Sequence, residues 1–454
     1  MTSTLPESLV LGVATSAYQV EGAVGEGGRG ESIWDRFAHT PGKVEGGDTG
    51  DVACDHYHRW REDLDLLAWL GVDAYRFSVA WPRVFPAGTE RMPNASGLDF
   101  YDRLVDGLLA RGIEPWVTLY HWDLPQALQD RGGWTSRETV RAFERFAAAV
   151  AARLGDRVRH WNTINEPWCA AVLGHETGQH APGLCDRAAA LAAAHHLLLA
   201  HGRSVPLLRD LAPGCRVGLV NNLVPAYPAS RSEADHLAAE RLHAWFNRWY
   251  LDPLYGLGYP ERIVREEEEA GRWPPGGPEW LRAGDLETMA VPTDFLGINY
   301  YSRAILRGSE EGNAPREVFE PPAEERTDMG WEVYPDGLVD ILQRVQRDYA
   351  PPSLAVTECG AAYPEGPGEE SEVRDARRVT YLEGHLAAAT RAMAAGIPLE
   401  AFFVWTLVDN FEWNHGFSKR FGLVWLDRTT QERVVKQSGH WLRRQMAGQK
   451  GRTS

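Results

Sequence analysis

Two glutamates stand where an apolar run meets a chain-breaking residue. Glu166 follows the run 159–163 and precedes Pro167; Glu358 closes the run 354–357 and stands two residues before Gly360. Two carboxyl groups facing each other can break a glycosidic bond. One protonates the departing oxygen, and the other attacks the anomeric carbon or activates a water. A separation of about 5–5.5 Å goes with retention and about 6.5–9.5 Å with inversion. Position along the chain fixes neither that distance nor which glutamate takes which role. A lone Glu at such a place is ordinarily a capping or ion-pairing residue; two, with amide side chains at neighbouring run ends, point to catalysis. Gln19, His121, Asn165, Asn299 and Glu412 offer directional hydrogen bonds to hydroxyl groups. Trp405 and Trp413 offer flat apolar faces, and Trp122 follows His121 at the same run end. Arg76 and Tyr301 could keep a carboxylate ionised, since a nearby cation or donor lowers its pKa; Arg76 fits a structural ion pair equally well. The chain carries 18 Trp. Each one alone reads as core, but indole faces also suit the apolar C–H faces of sugars.

These residues need elements to hold them. Short runs, apolar throughout, recur at residues 9–15, 73–78, 115–120, 159–163, 216–221, 295–300, 354–357 and 402–406. Such runs suit strands buried on both faces. Helical patterns lie between them at 60–70, 100–110, 137–154, 188–211, 337–348 and 375–395. Eight alternations predict a single (β/α)8 barrel spanning 1–454, with chemistry gathered at the C-terminal ends of its strands. A doubly wound open sheet usually advertises a glycine-rich phosphate loop after its first strand. Gly25, Gly27, Gly28 and Gly30 open no clear helix and read as a loop. Residues 307–326 and 365–372, rich in Glu, Pro and Gly, read as solvated surface loops.

Composition narrows the partners. With 63 acidic and 47 basic residues the net charge is −16, which repels nucleic acid and anionic membranes. No stretch reaches about 18 consecutive apolar residues, so no membrane span is expected. Leu9–Ala14 follows Glu7 rather than a basic cluster and does not read as a signal peptide. Five cysteines without a CxxC pair suit free thiols in a cytoplasmic protein. The histidines show no metal-site spacing; His195, His196 and His201 read as packing or surface residues. No cofactor and no metal is expected.

Six motifs, taken in order, resemble glycoside hydrolase family 1, the β-glucosidase family. They are GVATSAYQVEG at 12–22, YHWDLP at 120–125, TINEP at 163–167, GINYY at 297–301, TECG at 357–360 and DNFEWNHGFSKRFG at 409–422. The resemblance implies a retaining β-glycosidase on a (β/α)8 barrel, acting on β-glucosides or short β-linked oligosaccharides such as those from cellulose. It makes Glu166 the general acid/base and Glu358 the nucleophile, with Arg76 and Tyr301 orienting the latter. It places Gln19, His121, Asn165, Glu412 and Trp413 around the non-reducing sugar, Trp405 beneath it and Trp331 on an outer wall; Trp122, Asn299 and Phe421 are expected to bind substrate with them. Glu166 must begin protonated, so burial and the charge on Glu358 should raise its pKa. Glu412 argues against 6-phosphorylated sugars, because relatives that take them usually carry Ser there with a Lys and a Tyr for phosphate. Here Phe421 stands in place of that Tyr, and a carboxylate would repel the phosphate. Glu166 argues against thioglucosidases, which carry Gln at that position. Cys359 departs from the family's Asn and, by strand alternation, should point away from the reacting centre. The same pocket could serve β-galactosides or β-fucosides. A non-catalytic sugar-binding barrel and a metal enzyme using Glu166, Glu358 and Glu412 as ligands are the readings of other classes; the first would need a catalytic Glu missing, and the second would be sensitive to a chelator. Oligomeric state is not written in the sequence.

Overall fold

A computed structural model describes residues 5–308, 316–317, 322–368 and 372–450. Eight parallel strands close into a barrel in sequence order: β1 Val10–Ala14, β2 Ala74–Ser78, β3 Glu114–Tyr120, β4 His160–Asn165, β5 Arg216–Asn222, β6 Phe295–Asn299, β7 Leu354–Cys359 and β8 Leu399–Trp405. Closure sets Ala14 of β1 beside Trp405 of β8. Both strand faces are buried, as the runs predict. Ala401, Phe403 and Trp405 join the cluster inside the barrel, while Leu399, Phe402 and Val404 pack outward against the helices. Inside, Trp116, Phe295 and Phe403 meet with ring centroids 5.0–5.3 Å apart. Small residues such as Ala74, Ala355 and Ala401 make room for them in the same cluster. Gly12 is required there, because a Cβ would meet the Phe403 ring at 2.4 Å.

The main helices that alternate with the strands are α1 His56–Leu70, α2 Ala95–Leu109, α3 Arg137–Leu154, α4 Arg187–Leu211, α5 Glu233–Leu242, α6 Pro335–Tyr349, α7 Ala376–Ala394 and α8 Gln437–Lys450. α3 begins where Ser136 accepts from the Glu138 N–H, and α4 where Asp186 accepts from Ala188. The starts of α1 and α2 lie four and five residues before the predicted ones, because residues 56–59 open α1 with mostly polar side chains and residues 95–97 open α2 with small ones, neither marking a helical apolar period.

The predicted loop 307–326 is only partly a loop. Arg307 ends a strand, Ala304–Arg307, which lies between Ala226–Pro228 and Arg316–Glu317 in a small sheet. Residues 309–315 and 318–321 of this stretch, and 369–371 of the predicted loop 365–372, lie outside the described residues. Of the two readings for the α4 histidines, packing is the one realised. His195 contacts Tyr259 and Asp285 at 2.9 and 3.0 Å, His196 the Trp134 carbonyl at 2.8 Å, and His201 Thr163 at 2.7 Å. The five cysteines are unpaired, and among the described residues no helix is long and apolar enough to cross a membrane.

Candidate active site

β4 and β7 each carry one residue too many just before their glutamate. Against β5, the register runs from Asn162–Gly218 to Asn165–Val220, three residues against two. Against β6, it runs from Val356–Ile298 to Glu358–Asn299, two against one. Such bulges bend a strand and re-aim its side chains. Glu166 then adopts a left-handed backbone, φ 47°, and Pro167 starts the turn into a π-helical segment, Cys169–Glu176. Trp122 and Trp413 share the positive φ, at 79° and 53°. A bulky residue held there costs about 1–2 kcal/mol, and such outliers gather where function over-determines the backbone.

The two carboxyls are both buried, 5% and 3% exposed, but are held differently. Glu358 accepts from the Arg76 guanidinium at 2.6 Å on Oε1 and from the Tyr301 hydroxyl at 2.6 Å on Oε2. Glu166 accepts from Asn299 Nδ2 at 2.6 Å and has no cation bound to it. Thr357 fixes that amide by donating to Asn299 Oδ1 at 2.7 Å. Asn165 ties the two halves together. Its Oδ1 accepts from Arg76 at 2.5 Å and from Asn299 at 3.3 Å, and its Nδ2 meets His121 Nε2 at 3.2 Å. Burial and then the charge on Glu358 push the Glu166 carboxyl up to about 8. Burial pushes Glu358 up as well, with Arg76 and Tyr301 pulling the other way. A carboxyl kept protonated can give a proton; one gripped by a cation and a hydroxyl can attack as a carboxylate.

Around this pair the other expected residues converge. Glu412 is buried and pushed to about 8 by desolvation, then by Glu358 and Glu166. Gln19 has protein partners at both ends of its amide: Oε1 accepts from Ser16 at 2.6 Å, and Nε2 donates to the Phe411 carbonyl at 2.8 Å and reaches Glu412 at 3.3 Å. His121 lies nearly parallel to Trp405 and Trp413, with centroids 5.9 and 6.0 Å apart. Its Nδ1 is buried without a protein partner. Trp122 spends its indole N–H on the Asn165 carbonyl at 2.9 Å and lies 4.6 Å from Trp413, so it has only a ring face left to offer. Tyr301, Trp331 and Phe421 form an aromatic triangle with centroids 5.2–6.3 Å apart. Cys359 turns outward to the Tyr381 hydroxyl of α7 at 3.5 Å. Lys419 donates to the Asp328 carbonyl at 3.0 Å. Among the described residues, no three of His, Cys, Asp and Glu group as a metal set.

Some contributors were not singled out from sequence. Thr357 belongs to the TECG motif, but nothing in the sequence singles it out as the residue that sets the Asn299 amide. Cys169 lies beside Glu166, and the one available signal was its place three residues further on. Tyr18 and Trp34 pack behind Trp413 at 6.2 and 4.4 Å.

The model for glycosyl hydrolase family 1 matches residues 1–451. The chain is 45% identical to β-glucosidase A of Acetivibrio thermocellus, over 97% of each chain. It is 43% identical to a bifunctional β-D-glucosidase/β-D-fucosidase of Bifidobacterium breve, over the full length of both. The structure of a β-glucosidase from Thermotoga maritima in complex with glucoimidazole, 43% identical, superposes with a TM-score of 0.93 over 98% of this chain and 99% of that one. With a closed eight-stranded barrel, a match across nearly every residue and such relatives, the chain belongs to glycosyl hydrolase family 1.

Proposed function

We propose that the protein is a retaining β-glucosidase that releases glucose from the non-reducing end of β-glucosides. The observation that carries this reading is the unequal holding of the two buried carboxyls, Glu358 by Arg76 and Tyr301 and Glu166 by a neutral amide. In the first step a Glu358 oxygen attacks the anomeric carbon, the glycosidic C–O bond breaks, and Glu166 gives its proton to the leaving oxygen. A glucosyl ester on Glu358 results. Esterification removes the charge on Glu358, the Glu166 pKa falls, and Glu166 takes a proton from the incoming water. Water attacks the same carbon, the ester breaks, and two inversions leave the β configuration.

Gln19, His121, Asn165, Asn299, Glu412, Trp122, Trp405 and Trp413 hold the glucosyl unit, and Trp331 and Phe421 flank the leaving group. The substrates are short β-linked oligosaccharides, including those from cellulose, and aryl glucosides. β-Fucoside cleavage is a second activity of the same pocket, favoured by the similarity to the bifunctional relative. The whole chain acts as one catalytic domain, and its unpaired cysteines suit a cytoplasmic setting.

The test is hydrolysis of p-nitrophenyl β-D-glucopyranoside, with proton NMR of the first-formed sugar. Wild type should release β-glucose first, and Glu358→Gln should lose several orders of magnitude while staying folded. Wild-type inertness on the glucoside, or α-glucose appearing first, would overturn the reading.

A further inference from the structure

Trp331 lies in a short hairpin, 326–332, that projects ahead of α6. Arg326 and Glu332 pair across its base. At its tip the Thr327 N–H donates to the Trp331 carbonyl at 2.8 Å, and the Gly330 N–H to the Thr327 carbonyl at 2.9 Å. Gly330 takes the left-handed φ of 79° that this turn requires. Loops from three strand ends hold the hairpin. After β6, Arg303 grips the Glu332 carboxylate at 2.7 and 3.0 Å, and Ser302 donates to the Glu332 carbonyl at 3.0 Å. After β7, the Ala362 carbonyl accepts from the Asp328 N–H at 2.8 Å. After β8, Lys419 Nζ donates to the Asp328 carbonyl at 3.0 Å and lies 3.5 Å from the Asp328 carboxylate. The neighbours of Lys419 turn elsewhere: Ser418 donates to Glu45 at 2.9 Å and Arg420 to the Pro364 carbonyl at 3.0 Å. Base and tip therefore have separate anchors, and Lys419 belongs to the tip.

We propose that Lys419 is a positioning residue for the leaving-group side of the pocket: by fastening the carbonyl and carboxylate of Asp328 it fixes the turn 327–330, and with it Trp331 and Met329 as an apolar wall for an aryl or sugar leaving group. This rests on the reading of the protein as a β-glucosidase whose leaving group lies against Trp331. The Trp331 ring stands 5.2 Å from Tyr301 and 6.3 Å from Phe421, and Met329 of the same turn packs on the same cluster. A wall of this kind is only as well placed as the backbone beneath it. The Lys419 amine is 20% exposed and the Asp328 carboxylate 29%, so water screens the charge pair and the bond to the carbonyl carries the larger share of the hold. The donors to the reacting carboxyls come from other elements: Arg76 of β2 and Tyr301 just after β6 for Glu358, and Asn299 of β6 for Glu166. Loss of the Lys419 amine should therefore loosen the outer wall and spare the transfer of the glucosyl unit.

The experiment compares two substrates. The ring of p-nitrophenyl β-D-glucopyranoside occupies the leaving-group side; the fluorine of β-D-glucopyranosyl fluoride is too small to reach Trp331. Lys419→Met should lower kcat/KM on the aryl glucoside about three- to tenfold, mostly through KM, and leave the fluoride value unchanged. Lys419→Arg, which keeps a charged donor, should restore the aryl value toward wild type. Trp331→Ala should lower the aryl value too, and adding Lys419→Met to it should cost little more, because both changes act through one ring. Asp328→Asn keeps the carbonyl and removes the charge; it should show a smaller loss of the same kind, and it carries the test if Lys419→Met does not fold. An equal loss on both substrates would mean that Lys419 serves the fold at large and would overturn the proposal, as would a full additional cost of Lys419→Met in the Trp331→Ala background. Wild-type inertness on both substrates would sink the β-glucosidase reading itself. An aryl value untouched by Trp331→Ala would remove the outer wall from that reading, and Lys419 with it. If Trp331→Ala lowers the aryl value and Lys419→Met does not, only the role of Lys419 falls.

Discussion

A buried carboxyl carries charge only where a partner offsets the loss of water, and this site divides its partners unevenly. Tyr301 supplies one of two donors to Glu358. A hydrogen bond to a charged group contributes about 1.5–3 kcal/mol, so Tyr301→Phe should lower kcat/KM about ten- to a hundredfold with the fold intact, checked by steady-state kinetics beside circular dichroism. Glu166 acts first as an acid and is pushed to about 8. Activity should therefore fall as pH rises through about 8, an alkaline limb readable in kcat/KM. The same preference bears on stability. Glu412, also raised to about 8 from an ordinary 4.5, contributes stability that is full at low pH and lost as pH climbs through about 8. Glu412→Gln removes that charge without changing shape. Its thermal midpoint should match wild type near pH 5 and exceed it near pH 9; an equal difference at both pH values would contradict the assignment.

At the scale of elements, the loop carrying Glu412 and Trp413 is fastened from below. Asp409 accepts from buried Lys436 at 2.7 Å and from the Gly422 N–H at 2.8 Å. Lys436 lies just before α8, so a chain end far from the chemistry in sequence holds a wall of the pocket. Breaking one partner of a buried pair costs about 3–5 kcal/mol. Lys436→Met should lower the thermal midpoint and raise KM for an aryl glucoside more than it lowers kcat, because the displaced loop carries the proposed sugar-binding residues Glu412 and Trp413 and neither reacting carboxyl. The bulges of β4 and β7 work at this scale too. Without the extra residue after Val356, Thr357 and Glu358 would fall on opposite faces, and either the Asn299 amide or the second carboxyl would be misplaced.

For the whole molecule, the lower barrel is a packed apolar plug. Trp116, Phe295 and Phe403 fill the interior on which the polar layer rests. Phe403→Ala should cost about 3–5 kcal/mol by opening a cavity there, read as a lowered denaturant midpoint. The proposed chemistry runs between two carboxyls and a water, so EDTA should leave kcat/KM unchanged; loss of activity restored by a divalent cation would contradict the mechanism.

The order of motifs, the eight apolar runs and the two glutamates at run ends were legible in the chain alone, because burial on both strand faces and chain-breaking residues leave local marks. Cys359 pointing outward followed from alternation in the same way. Other features had no local mark. A bulge is a mismatch between two strands, so neither strand's pattern records it. The engagement of Gln19 by Ser16 and Phe411, the anchoring of Cys169 by Asn222, and the donors divided between Glu166 and Glu358 depend on residues up to about 390 positions apart in sequence. The two carboxyl environments likewise depend on how much water the closed barrel excludes and which charges it leaves side by side. Sequence determined which groups could do chemistry and in what kind of scaffold; only the tertiary structure decided which of them share protons, because that is set by distance and desolvation.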